Sequence, residues 1–206
     1  WRDQIVLQGG ADIANSRTFF ETGSLFALPG MKSELDVPRV LVSPCDPDNQ
    51  GPNDSIDLSV AHHATNPIPN NAHSYGVVTG GGFAAAAPAL SATPDDKGAD
   101  VLKPTTTLMV SRNIDQERLS DGPTGNPSTG GVGTAAQWLG ADDAVDSTNP
   151  RVMAGLNTNQ GQAGSADGSG SQSNNADLSN KAQAHNNAKG GNYKGVPSPV
   201  LDTPND

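Results

Sequence analysis

The residues best placed to do chemistry lie in one acidic loop, DPDNQGPNDSID, which begins at Asp46. Asp46, Asp48 and Gly51 match the first half of a D-x-[DN]-x-[DN]-G calcium loop, with Gln50 as an imperfect third ligand and Asp57 at the twelfth position. Calcium takes about six to eight oxygen ligands, and carboxylates alternating along a tight loop supply them at low steric cost. Pro47 and Pro52 stiffen this loop, no predicted helices flank it, and Asp57 is shorter than the bidentate Glu of such sites. An ordinary acidic surface loop is therefore the competing expectation. No cofactor is expected, with calcium as the candidate that this loop offers.

His62, His63 and His73 could share a zinc ion, but no Cys or acidic residue stands beside them at metal-ligand spacing. The sequence predicts solvated loop histidines instead. Cys45 is the sole cysteine, so no internal disulfide forms, and its neighbours Asp46 and Asp48 do nothing to lower a thiol pKa. Asp167-Gly168 reads as a turn rather than a ligand pair. Gly80-Gly81-Gly82 lacks the strand–helix context of a phosphate cradle, and Asn53-Asp54-Ser55 is a glycosylation-type sequon that marks at most an exposed loop. No G-x-S-x-G, P-loop, H-E-x-x-H or dinucleotide fingerprint occurs. The sequence predicts a protein that is not an enzyme, with no catalytic residues. The rival class is a secreted calcium- or glycan-binding module, whose cleft would be lined by Trp138, Tyr75 and convergent carboxylates.

The totals point the same way. Of 206 residues, 33% are hydrophobic and 4% aromatic, too few for a large core, and 24 Gly with 16 Pro imply long loops. The net charge of −10 makes nucleic acid and anionic membrane poor partners. No run of ~18 or more apolar residues is present.

These constraints predict one α+β domain over 1–206, with a small antiparallel sheet, short N-terminal helices, long loops and a C-terminal helix. Phe19, Phe20, Leu25, Phe26, Leu28, Met31 and Leu35 fit one or two short helices, interrupted by Gly23 and by Pro29-Gly30. Strands are expected at Arg39–Ser43, Ser74–Val78 and Thr106–Ser111, separated by long insertions at 44–72, 79–104 and 119–135. AAQWLGADDAV could form a helical turn that buries Trp138. The polar segment 157–191 resolves into a hairpin at Asp167-Gly168, with a type I′ turn, and a helix capped by Asn174 or Asn175. Asp177 sits in its first turn, His185 and Lys189 in its last, and Gly190-Gly191 forms the stop. So polar a segment carries little apolar area to offset its backbone entropy, so the expectation is that a neighbouring copy of the chain orders it.

The order of KSELDVPRVLVSPCD, HSYGVV, TTLMVSRNI, NTNQGQAGSADGS and ADLSNKAQAHNNAKGG resembles the head domain of bacterial prepilin-like proteins. These are the type IV pilin and type II secretion pseudopilin kind, in the branch with a C-terminal H-x9-DG motif. The likeness spans most of the chain between about Phe19 and Gly191, with unmatched insertions. The family's His falls at Asn157, so a role that needs an imidazole there is absent, and its C-P pair is rearranged as Ser43-Pro44-Cys45. The resemblance implies a pilin-like head that builds an extracellular or cell-surface filament from copies of itself. It also implies membrane contact only through a long N-terminal hydrophobic helix, which this chain does not contain; Trp1 would lie near the start of the head.

Overall fold

The computed structural model describes residues 22–46, 57–62, 65–80, 99–115, 119, 135–143, 152–188 and 200–202. Within them the architecture is α+β. Five antiparallel strands, β1 (Tyr75–Gly80), β2 (Thr107–Ser111), β3 (Gly161–Ser165), β4 (Gly170–Ser173) and β5 (Val200–Asp202), form a sheet of order β4-β3-β2-β1-β5. Helices α1 (Thr22–Phe26), α2 (Pro29–Leu35) and α3 (Asn175–Ala188) complete it. No helix among the described residues is long and apolar enough to cross a membrane.

Successive side chains of a strand point to opposite faces, and the sheet uses this to serve two cores. Val77 joins Leu25, Phe26, Leu28, Ile68 and Ala72, with Met109 packed against them. Its neighbour Val78 joins Val110, Ala163, Ile114, Trp138, Leu178 and Ala182. All of α1 is buried, which explains why five residues suffice for a helix there. Pro29 opens α2 at a position whose N–H would have no helical partner anyway.

Helix α3 buries Leu178, Ala182, His185 and Asn186, an i, i+4, i+7, i+8 stripe in an otherwise polar sequence. Its N-cap is Asn174. The Asn174 side chain accepts from the Asp177 N–H at 2.9 Å, and the Asp177 carboxylate accepts from the Asn174 N–H at 3.2 Å, a reciprocal capping box. The Thr107 N–H donates to His185 Nδ1 at 3.0 Å, tying the helix to β2. Segment 157–188 thus finds its apolar contacts and backbone partners within one chain. These contacts are made within a single copy of the chain.

Three local expectations give way. Arg39–Ser43 is not a strand: Pro38–Leu41 is a 3-10 turn, in which only Leu41 is buried and Val40 is 54% exposed. With no adjacent strand among the described residues to complete a ladder, Val40 N–H bonds back to Val37 and Val42 N–H to Arg39. The hairpin at Asp167-Gly168 exists, but only Gly168 takes a positive φ (84°), and its N–H closes the turn on Ser165. That is a three-residue loop with glycine in the left-handed position rather than type I′. Finally, Trp138 is buried but not helical. It bridges Ile114, while Leu139 N–H donates to Asn113 and Asp115 N–H to Gln137. The indole lies directly over Gly161, where any Cβ would fall inside the ring, and its N–H donates to Ser173 Oγ at 3.1 Å. Lys189 and Gly190-Gly191 lie outside the described residues.

Candidate functional site

Strand β2 leaves the core through Ser111-Arg112-Asn113, and all three polar side chains are buried. Burying a polar group is tolerable only when it is bonded, so each of them has to find partners. Ser111 Oγ donates to Asn113 Oδ1 at 2.6 Å and accepts from the Gln162 N–H at 2.9 Å. Asn113 Nδ2 donates to the carbonyls of Leu139 and Gln160 at 2.7 and 2.8 Å. Arg112 donates from Nε and Nη2 to the two oxygens of Asp46, both at 2.6 Å, and from Nη2 to the Val152 carbonyl at 3.1 Å. The pair is sealed, with side-chain exposures of 2% and 0%. Beside it the Gly155 N–H donates to the Cys45 carbonyl. The three residues form a polar hub that fastens segments around 45, 139, 152–155 and 160 to one end of the sheet. No substrate reaches it. Its chemistry is positioning.

Among the described residues the candidates read from the sequence do not converge. Asp46, first ligand of the supposed calcium loop, has both oxygens on Arg112, so a cation there would have to displace the guanidinium. Asp48 and Gln50 lie outside the described residues. Asp57 is exposed, and hydrogen bonds from Ser59 hold its carboxyl below the usual range. No group of three or more His, Cys, Asp or Glu that could hold a metal occurs among the described residues. His62 pairs with Asn66 in an isolated bridge; His63, Gly81, Gly82 and Asn53-Asp54-Ser55 are outside the description. His73 is no solvated loop histidine. It is buried edge-on against Phe26 with its Nδ1 3.3 Å from the Tyr75 carbonyl, and burial pushes its pKa down to about 4. Cys45 is half-buried; its N–H donates to Ser43 Oγ and its carbonyl accepts from the Gly155 N–H.

Among the described residues there is an open groove of about 450 Å³ on the β2–β3–β4 part of the sheet, lined chiefly by Tyr75, Met109, Gln162, Gly164, Gly170 and Gln172. No carboxylate or cationic side chain lines it. Burial pushes the Tyr75 phenol up, with a Ser43 hydrogen bond opposing, so the ring stays neutral. Trp138, at 1% exposure, is no part of this groove, and the Trp138–Tyr75 carboxylate cleft of the glycan-binding alternative does not form. Sequence reasoning missed both the hub and the groove. The available signal for the hub was a charged and an amide residue directly following an apolar strand. Compared with known proteins, the chain matches no family model, no curated protein and no solved structure.

Proposed function

We propose that this chain is a pilin-like head, a non-catalytic structural subunit that builds an extracellular or cell-surface filament by self-assembly. One observation carries the reading: the outermost strand β4 is exposed at Gly170, Ser171 and Gln172 and bears no charge or proline. Proteins that must stay apart blunt such an edge with charged residues, proline or a covering element, because its free N–H and C=O groups template pairing with another chain. On a chain of net charge −10, this neutral edge and the neutral groove beside it are where two copies meet without like-charge repulsion. Cell-surface location and the pilin-like assignment rest on the ordered pieces that include Cys45-Asp46, Tyr75, Arg112-Asn113 and Asp167-Gly168. The test is sedimentation velocity of the full chain over a wide concentration range, with electron microscopy of the concentrated sample. Mass that grows with concentration and fibrous particles are expected. A monomer at every concentration overturns the reading.

A further inference from the structure

Just before β2, the turn Asp100–Lys103 holds Val101 and Leu102 out into solvent at 80% and 87% exposure, the most exposed large apolar side chains described. The turn is built to hold them there. Lys103 N–H donates to the Asp100 carbonyl at 2.8 Å and Leu102 N–H to the Asp100 carboxylate at 2.9 Å. Thr106 Oγ1 accepts from the Asp100 N–H at 2.9 Å and donates to the Lys103 carbonyl at 2.8 Å. Lys103 Nζ reaches the carbonyl of Ala188 at the end of α3 at 2.8 Å. An apolar pair fixed at a tip loses little conformational freedom on docking, and that is where association ordinarily loses much of its gain.

The same molecule carries the neutral groove, and its own tip does not fill it: Val101 and Leu102 are open to solvent and neither lines the groove. We propose, resting on the self-assembly reading, that the Val101-Leu102 tip of one copy docks into the groove of the next, against Tyr75, Met109 and Gly164. Two observations select a second copy as the occupant. A groove of about 450 Å³ has room for both side chains, and its lining of aromatic, thioether, amide and glycine surfaces suits them. The tip's flanking charges, Asp100 and Lys103, are of opposite sign, so the knob brings no net charge to a chain of −10. Knob and groove are also different patches on one surface. A contact between such patches is heterologous and runs on into a fibre unless its rotation closes a ring.

The test uses the full chain and substitutions on each side of the contact. Val101→Asp with Leu102→Asp charges the tip at solvent-exposed positions. Gly164→Val fills the groove; a Cβ there meets nothing closer than 3.9 Å. Gln172→Glu, at an exposed position, charges the groove should Gly164→Val fail to fold by circular dichroism. Each variant alone is expected to weaken self-association more than about tenfold by sedimentation. Mixing the tip variant with the groove variant restores one good contact per pair, giving a one-to-one dimer that does not elongate. Variants that assemble like the parent overturn this contact and leave self-assembly standing. Tip and groove variants that each lose assembly but fail to complement one another overturn the head-to-tail geometry. A parent chain that never associates overturns self-assembly, and this proposal with it.

Discussion

Replacing Asp46 with alanine removes both carboxylate acceptors of Arg112 while leaving the guanidinium 2% exposed. Two charge-assisted bonds of 2.6 Å disappear together, and a bond to a neutral carbonyl such as that of Val152 does not balance a full charge. Removing one partner of a buried pair typically costs about 3–5 kcal/mol, because the other charge stays desolvated. Water entering the vacated space would pull the value toward the lower end. Against a total stability of roughly 5–15 kcal/mol this is a large fraction, and at about 2–4 °C per kcal/mol it lowers the melting temperature by roughly 6–20 °C. Urea unfolding of Asp46→Ala and parent gives the difference from midpoints at matched slope. The double variant Asp46→Leu with Arg112→Met carries no buried charge, so it should lose much less than the single variant. Hydrogen exchange adds a local readout: the Gly155 amide, bonded to the Cys45 carbonyl next to Asp46, should exchange faster in Asp46→Ala. A loss below about 1 kcal/mol, or a double variant as damaged as the single, would refute the argument that the uncompensated charge is what hurts.

The His73 imidazole titrates near 4 in the fold against 6.5 in the unfolded chain, so the unfolded state binds more protons between those values. Its contribution is complete above about pH 6.5 and is lost as pH falls toward 4, by roughly 3 kcal/mol; His73→Gln should flatten the urea midpoint over that window. Asp57 and Asp167, held low by Ser59 and Ser169, contribute stability that is lost only below the ordinary carboxylate range, so their effect is separable on the acid side. Gly161→Ala drives a methyl into the Trp138 ring and should destabilise by roughly 1–3 kcal/mol, with tryptophan emission shifting to longer wavelength as the indole is displaced. Asn174→Ala removes the acceptor of the Asp177 N–H and should cost about 1 kcal/mol in thermal melts, without changing the spectrum of the folded protein.

What could be read from the sequence is what short-range physics determines. Strand β2 is apolar over Leu108, Met109 and Val110, and helix α3 announces itself by Asn174 and Asp177 at one end and a Leu178, Ala182, His185 stripe along one face. Those signals are complete within a few residues. Arg39–Ser43 failed because Val40 and Val42 carry a strand-like preference that only a neighbouring strand can realise, and among the described residues the chain offers it the Ser74 N–H to Leu41 bond instead of a ladder. Trp138 was legible as buried, since a large aromatic in so apolar-poor a chain has to be, but its extended backbone depends on Asn113, Asp115 and Asn175 from elsewhere. The hub lies furthest from view. Asp46 and Arg112 are 66 residues apart, and nothing near Asp46 distinguishes an arginine's partner from a calcium ligand, because both uses ask for an unencumbered carboxylate in a tight loop. The decision is made by burial, which the local sequence does not record. A carboxylate that becomes fully enclosed needs compensating donors, and an arginine supplies two at once in bidentate geometry. Once Arg112 is carried inward by the buried end of β2, it is the cation available.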